Sequence, residues 1–296
     1  MKIDTILVGI DFSPESEVAL AQAESIARKT RARLVLVHAM GVTEEGLYMY
    51  GVADRPEEPW KRYVQKMLDD AREKLEECAA QVAARGIAVE HHLAAGFADD
   101  VLVDQARERG CDLLAVGTHG RTGVNRFTLG SAAERVTRTA PCHVLVARRG
   151  TPPEPPRSLL VPTDLSPTAE LGLRLALTVA ASEARIELFH AWTPAYLGGG
   201  AYAPDWLAQD ARARVEARAR ELIEQYRRDG VTFEFVIDED EAAHAILERM
   251  EQGRFDLVVM GSHGHRGLKR ALLGSVAERV VRHATLSVLV AHAGSA

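Results

Sequence analysis

The feature that most constrains this chain is that it is written twice. Asp112 to Ala147 and Asp256 to Ala291 align without a gap and share 20 identities in 36 positions. The same offset of 144 residues runs back to Gly86 and Gly230. Nearer the start, Ile6-Leu-Val-Gly-Ile-Asp11-Phe-Ser13-Pro14 matches Leu159-Leu-Val-Pro-Thr-Asp164-Leu-Ser166-Pro167 at an offset of 153. A chain of 296 residues is therefore expected to hold one fold twice, at the usual domain size of ~150 residues. The change in offset places a longer excursion in the first copy, roughly Gly41 to Pro59, where the copies are expected to differ in ligand access.

Residues 148–157, Arg-Arg-Gly-Thr-Pro-Pro-Glu-Pro-Pro-Arg, hold four of the twelve prolines. Such a stretch continues neither a helix nor a central strand and favours an extended spacer. The expected organisation is residues 1–148, a linker over 149–157, and residues 158–296. Within each copy, short aliphatic runs alternate with longer stretches rich in Ala, Arg and Glu, which is the βαβ pattern of a parallel sheet covered on both faces. In copy one the pattern predicts strands near 4–10, 33–39, 87–93, 112–117 and 143–147, with helices near 14–30, 60–85, 98–109 and 132–140. Copy two repeats the order.

Composition narrows the function classes. Hydrophobic residues make up 47% and charged residues 26%, enough for a core and too balanced for a disordered chain. The net charge of -6 gives no long-range attraction for a polyanion, so neither nucleic acid nor an anionic membrane is an expected partner. No apolar run approaches the ~18 residues of a membrane span, and a cytoplasmic protein is expected. Cys78, Cys111 and Cys142 form no Cys-x-x-Cys pair and read as small buried hydrophobes. His91-His92, His119, His143 and His263-Gly-His265 repeat no ligand pair at helical spacing, so no metal site is expected.

The chemistry is concentrated at one edge of each sheet. Ser13-Pro14 and Ser166-Pro167 offer an N-cap serine followed by proline at the first helical position, which puts Asp11 and Asp164 at the carboxyl end of strand one. In an open doubly wound sheet that edge binds ligands. The fourth strand of each copy runs into a loop of spacing G-x2-G-x9-G-S: Gly117, Gly120, Gly130 and Ser131, then Gly261, Gly264, Gly274 and Ser275. Glycines permit positive φ and close backbone approach, and a helix opened by Gly-Ser presents unpaired N–H groups to an anion. Phosphate is the natural occupant. Two bland alternatives stand beside this reading. Ser131-x-x-Glu134 and Ser275-x-x-Glu278 also read as capping boxes, and each aspartate also reads as a cap for its own helix.

These residues, with the closing strands Val144-Leu-Val146 and Val288-Leu-Val290, resemble the universal stress protein family in its tandem two-domain, nucleotide-binding form. The resemblance implies two Rossmann-like α/β domains, each a five-stranded parallel sheet. It implies ATP held by Asp11, Ala39, Val116, Gly117, Gly120, Gly130 and Ser131, and in copy two by Asp164, Ala191, Met260, Gly261, Gly264, Gly274 and Ser275. The family's last strand commonly pairs across a two-fold interface, which implies an intrachain pseudo-dimer or a homodimer. A nucleotide-dependent stress or regulatory protein follows, with an adenine nucleotide and an unidentified protein as partners. The chain departs from the pattern in two places. Asp240, inside Asp238-Glu-Asp-Glu241, replaces the family's glycine after strand three, which Gly96 keeps in copy one. His143 and Ser287 stand where the family has proline before the last strand. Repulsion between the four carboxylates and a triphosphate makes copy one the better expected site.

Two rivals remain from the sequence. A slow ATPase dependent on magnesium or manganese needs a cationic clamp, for which His119, Arg121, Arg126, His263, His265 and Arg270 are the candidates, and no G-x-x-x-x-G-K-[ST] loop is present. A ligand-free interaction scaffold needs the glycine loop only to turn the chain.

Overall fold

The computed structural model describes residues 1–41, 58–119, 129–192, 196–197, 201–202, 205–264 and 273–293. The excursion over 42–57 and the loop residues Gly120, Arg121, Arg126, His265 and Arg270 lie outside them. The chain divides into two compact units at Ala147–Arg148.

The first unit runs β1 (Thr5–Gly9), α1 (Pro14–Thr30), β2 (Arg33–Met40), α2 (Glu58–Ala84), β3 (Val89–Ala95), α3 (Ala98–Glu108), β4 (Leu113–Gly117), α4 (Ser131–Thr139) and β5 (His143–Ala147). Its strands are parallel, in the order β3-β2-β1-β4-β5. Strand β1 lies between β2 and β4, with Ile6 opposite Leu34 on one side and Leu113 on the other. That is where strand order reverses. The central strands read as unbroken apolar runs because helices cover both faces: Ile6 to Val8, Leu34 to Val37 and Leu113 to Ala115 are fully buried. At the edge, β3 carries Glu90, which pairs with Arg33 and with Arg109 at 3.2 Å. Charge on an edge strand discourages further strand addition.

The second unit repeats the plan: β6 (Ser158–Pro162), α5 (Pro167–Val179), β7 (Ala184–Ala191), β8 (Tyr196–Leu197), β9 (Ala201–Tyr202), α6 (Asp205–Gln225), β10 (Val231–Asp238), α7 (Ala242–Gln252), β11 (Leu257–Gly261), α8 (Ser275–His283) and β12 (Val288–Ala291). Five parallel strands follow the order β10-β7-β6-β11-β12. The fold is thus the expected tandem α/β arrangement of two Rossmann-like sheets, each of five parallel strands. The short antiparallel pair β8–β9 is an addition that the repeat pattern does not predict.

Both strand-to-helix corners are built as the Ser-Pro signal predicts. Ser13 Oγ accepts from the Ser16 N–H at 3.2 Å, and Ser166 Oγ accepts from the Ala169 N–H at 3.2 Å, with proline at the first helical position of each. We expect Ser166→Ala to lower stability by about 1 kcal/mol, measured by urea unfolding; an unchanged midpoint would remove the cap from the account.

The proline-rich stretch is fastened to the second unit instead of hanging as a spacer. The Arg148 N–H donates to Ser287 Oγ at 2.8 Å, and the Ser287 N–H donates to Thr151 Oγ1 at 2.9 Å. The Arg148 guanidinium donates to the Val281 carbonyl at 2.7 Å, where it satisfies an end of α8, and burial pulls its pKa down to about 10. A proline at 287 has no N–H to give, so the departure from the family pattern serves the linker.

Cys111 and Cys142 are buried and Cys78 is half-buried; all three are free. Burial pushes the Cys111 thiol up to about 11 and that of Cys142 higher still. Cys111 and Cys142 are inert core thiols. Among the described residues no helix is long and apolar enough to cross a membrane.

Candidate nucleotide site

Asp11 follows β1 directly, and its Oδ1 accepts from both the N–H (3.0 Å) and the hydroxyl (2.5 Å) of Ser13. Asp164 Oδ1 likewise accepts from the Ser166 N–H at 3.0 Å. The aspartates therefore close the turn, while the serines cap the helices. Such a tight turn forces the residue after each aspartate into the left-handed region: Phe12 has φ 60° and Leu165 has φ 62°. For side chains of this size that conformation costs ~1–3 kcal/mol, and it is the kind of strain that collects at functional sites.

A histidine sits under each turn. His38 Nδ1 lies 2.5 Å from the carbonyl oxygen of Ile10, and His190 Nδ1 lies 2.7 Å from that of Thr163. The His38 ring also packs against Phe12, with centroids 4.7 Å apart. Sequence reasoning missed these two residues, although His38-Ala39 and His190-Ala191 stand at matching places in the repeat.

Across the sheet edge, α4 and α8 begin at Gly130 and Gly274, each in extended conformation (φ -65°, ψ 148°). A glycine N-cap has no side chain, so the first-turn N–H groups are left without the usual cap. The capping-box alternative fails: Ser131 and Ser275 are the first helical residues, while Glu134 pairs with Arg138 at 2.8 Å and Glu278 with Arg282 at 3.0 Å. The expectation of positive φ fails as well, since none of Gly117, Gly130, Gly261, Gly264 and Gly274 adopts it. Close approach is what requires glycine. A Cβ on Gly117 would stand 2.8 Å from the Glu15 backbone and one on Gly261 would stand 2.7 Å from the Thr168 carbonyl, so these two let α1 and α5 pack on the sheet. A Cβ on Gly264 would stand 2.5 Å from Asp164 Oδ2, against the candidate base-binding group itself.

In each unit these parts line one cavity. The first, about 230 Å³, joins Asp11, Ala39, Val116, Gly117, Gly130 and Ser131. The second, about 630 Å³, joins Asp164, Ala191, Met260, Gly261, Gly264, Gly274 and Ser275. Every described residue named for a site from the sequence is thus brought to its cavity; Gly120 lies outside the described residues. His263 also lines the second cavity. Burial lowers its pKa, its Nδ1 lies 2.9 Å from Ser262 Oγ, and its buried Nε2 has no hydrogen-bond partner among the described residues.

The acidic turn of the second unit has an architectural purpose. Glu241 caps α7, accepting from the N–H groups of Ala243 (3.2 Å) and His244 (3.1 Å), and pairs with Arg279 at 2.8 Å. Asp240 pairs with His244 at 2.5 Å; the Glu241 N–H and then His244 lower the Asp240 pKa, and Asp240 raises that of His244. Asp240, His244 and Glu248 stand close enough to share an ion, but none of the three lines the cavity.

Comparison with known proteins agrees with this geometry. The Universal stress protein family model matches the chain twice, over residues 2–148 and 156–292. A universal stress protein of Mycobacterium tuberculosis is 29% identical over 292 residues, 97% of this chain and 95% of that one. Universal stress protein A homolog 2 of Coxiella burnetii is 31% identical over 145 residues, 48% of this chain and 93% of that one. In fold, the crystal structure of a universal stress protein from Archaeoglobus fulgidus superposes with a TM-score of 0.69 at 20% identity, covering 99% of both chains. Two matched passages, each carrying a strand-one aspartate and a glycine-capped helix that line one cavity, make this chain a tandem member of the universal stress protein family.

Proposed function

We propose that the protein binds adenine nucleotide, ATP in the first instance, and that occupancy changes the surface around the glycine loop for a protein partner. One observation carries the reading. In each unit an aspartate at the end of the first strand and a helix start with a glycine N-cap line the same cavity. The carboxylate suits the exocyclic amine of adenine, and the N–H groups and positive end of the helix suit phosphate.

The second unit is the better site, which reverses the preference drawn from sequence. Its cavity of about 630 Å³ falls within the ~300–1,000 Å³ usual for small-molecule pockets, whereas the first, at about 230 Å³, falls short. The acidic turn opposes this less than its charge suggests, since Glu241 and Asp240 are engaged with α7, Arg279 and His244. The scaffold reading is favoured by Gly117 and Gly261, whose packing on the helices needs no ligand. It leaves the two glycine-started helices, whose starts have no side-chain cap, without a purpose.

Nucleotide extracted from purified protein should be adenine-based and close to one equivalent per chain. Emptied protein should bind ATP, and Asp164→Ala should weaken that binding about tenfold or more, the scale of a hydrogen bond to a charged group. Equal affinity in the Asp11→Ala, Asp164→Ala double variant would overturn the reading. Release of ADP with magnesium or manganese present would instead identify a slow ATPase.

A further inference from the structure

We infer that His38 and His190 are positioning residues for the nucleotide site, a role that rests on the nucleotide-binding reading above. The observation is a repeated device. In both units a histidine near the end of the second strand places Nδ1 against the carbonyl of the residue just before the site aspartate, at 2.5 Å on Ile10 and 2.7 Å on Thr163. A carbonyl oxygen only accepts, so Nδ1 carries the proton and donates.

The geometry shows why a donor is needed there. Backbone order is carbonyl, aspartate, then a large residue in the left-handed region, Phe12 or Leu165, and then the capping serine. The serine and aspartate hold the turn from the helix side through the Ser13 and Ser166 bonds. On the strand side the Ile10 and Thr163 N–H groups donate to the Val37 and Phe189 carbonyls, both at 2.8 Å. The histidine adds the bond to the carbonyl of the same residue, from a strand paired directly with β1 or β6. It clamps the peptide that leads into the aspartate, one residue ahead of the strained position, and thereby sets the direction in which the carboxylate points. The next residues along the same strands, Ala39 and Ala191, line the two cavities. The clamp and the cavity wall are thus one piece of strand, and a small error at this point moves the aspartate relative to the helix N-terminus across the cavity. Binding that depends on two separated contacts is sensitive to such errors.

Asparagine and leucine separate positioning from bulk. The side-chain amide of asparagine can place a donor near the position of Nδ1, and leucine fills similar space with none. ATP titration of the full chain is expected to show affinity reduced about tenfold in His190→Leu, the effect of one lost hydrogen bond amplified by misorientation, and returned to within about threefold of wild type in His190→Asn. A purely structural histidine would lower stability in the leucine variant while leaving the affinity of the folded fraction unchanged, and that result overturns the proposal. If His190→Leu does not fold, the ¹⁵N spectrum of the wild-type imidazoles decides: a protonated Nδ1 supports the clamp, and an Nε2–H tautomer overturns it. Wild-type protein that binds no ATP overturns the nucleotide reading itself, whereas wild type that binds and leucine that binds equally well overturns only the clamp.

Discussion

Replacing Arg249 by glutamine should lower the stability of the second unit by about 3–5 kcal/mol, the cost of leaving a buried charge without its partner. Glu187 is fully buried in β7, and Arg249 grips it through two parallel bonds, Nε at 2.6 Å and Nη2 at 2.7 Å. Arg185, at 3.2 Å from the same carboxylate, is already committed to Glu234 at 2.6 Å. Removing Arg249 therefore strands most of a carboxylate in the sheet. The repeat supplies the control, because the first copy solves the same position without ions. Val35 stands where the second has Glu187, Gln105 stands where it has Arg249, and Val35 is fully buried. The double variant Glu187→Val, Arg249→Gln should recover most of the loss, since well-packed apolar groups replace a buried pair at little or no cost. Calorimetry of the single and double variants checks both halves. A single variant within about 1 kcal/mol of wild type would show that water reaches Glu187.

The second large effect is on pH. His143 begins β5, is 1% exposed, and has its pKa lowered by burial to about 4. A group whose folded pKa lies below its unfolded value of about 6.5 stays neutral in the fold while the unfolded chain takes up a proton. Its contribution is therefore fully present above pH 6.5 and is lost as pH falls toward 4, by about 3 kcal/mol across that window. The corresponding residue in the second copy is Ser287, also buried but without a proton to gain in this range. The difference in urea midpoint between pH 7.5 and pH 4.5 should accordingly shrink in His143→Ser. An equal pH dependence in both proteins would assign the acid sensitivity to other groups.

Both arguments use the duplication as an internal comparison, and the same comparison divides what sequence and structure contribute. Sheet and helix order, the Ser-Pro helix starts and the position of Asp11 and Asp164 follow from local pattern. Apolar runs long enough only for strands alternate with helical stretches, and a serine before proline has few other uses. The loop glycines were legible as a site but not in their separate roles. That Gly117 and Gly261 make room for a helix, while Gly130 and Gly274 start one, depends on which backbone passes within 3 Å, and spacing does not encode this. The acidic turn shows the same limit. Four carboxylates in a row read as repulsion until the fold brings Arg279 from α8 to Glu241 and turns Glu241 onto α7.

The sequence by itself determined that one α/β unit occurs twice, that each carries an aspartate and a glycine loop on the ligand edge, and which family the chain belongs to, because these are repeated, short-range signals. Only the tertiary structure decided how large each cavity is, that the helix starts lack a side-chain cap, and that a histidine on the neighbouring strand meets the carbonyl ahead of each strained turn. Those facts arise from contacts between residues as far apart in the chain as Thr163 and His190 or Asp164 and Gly264. Their geometry is set by strand pairing and packing, for which no local pattern stands in.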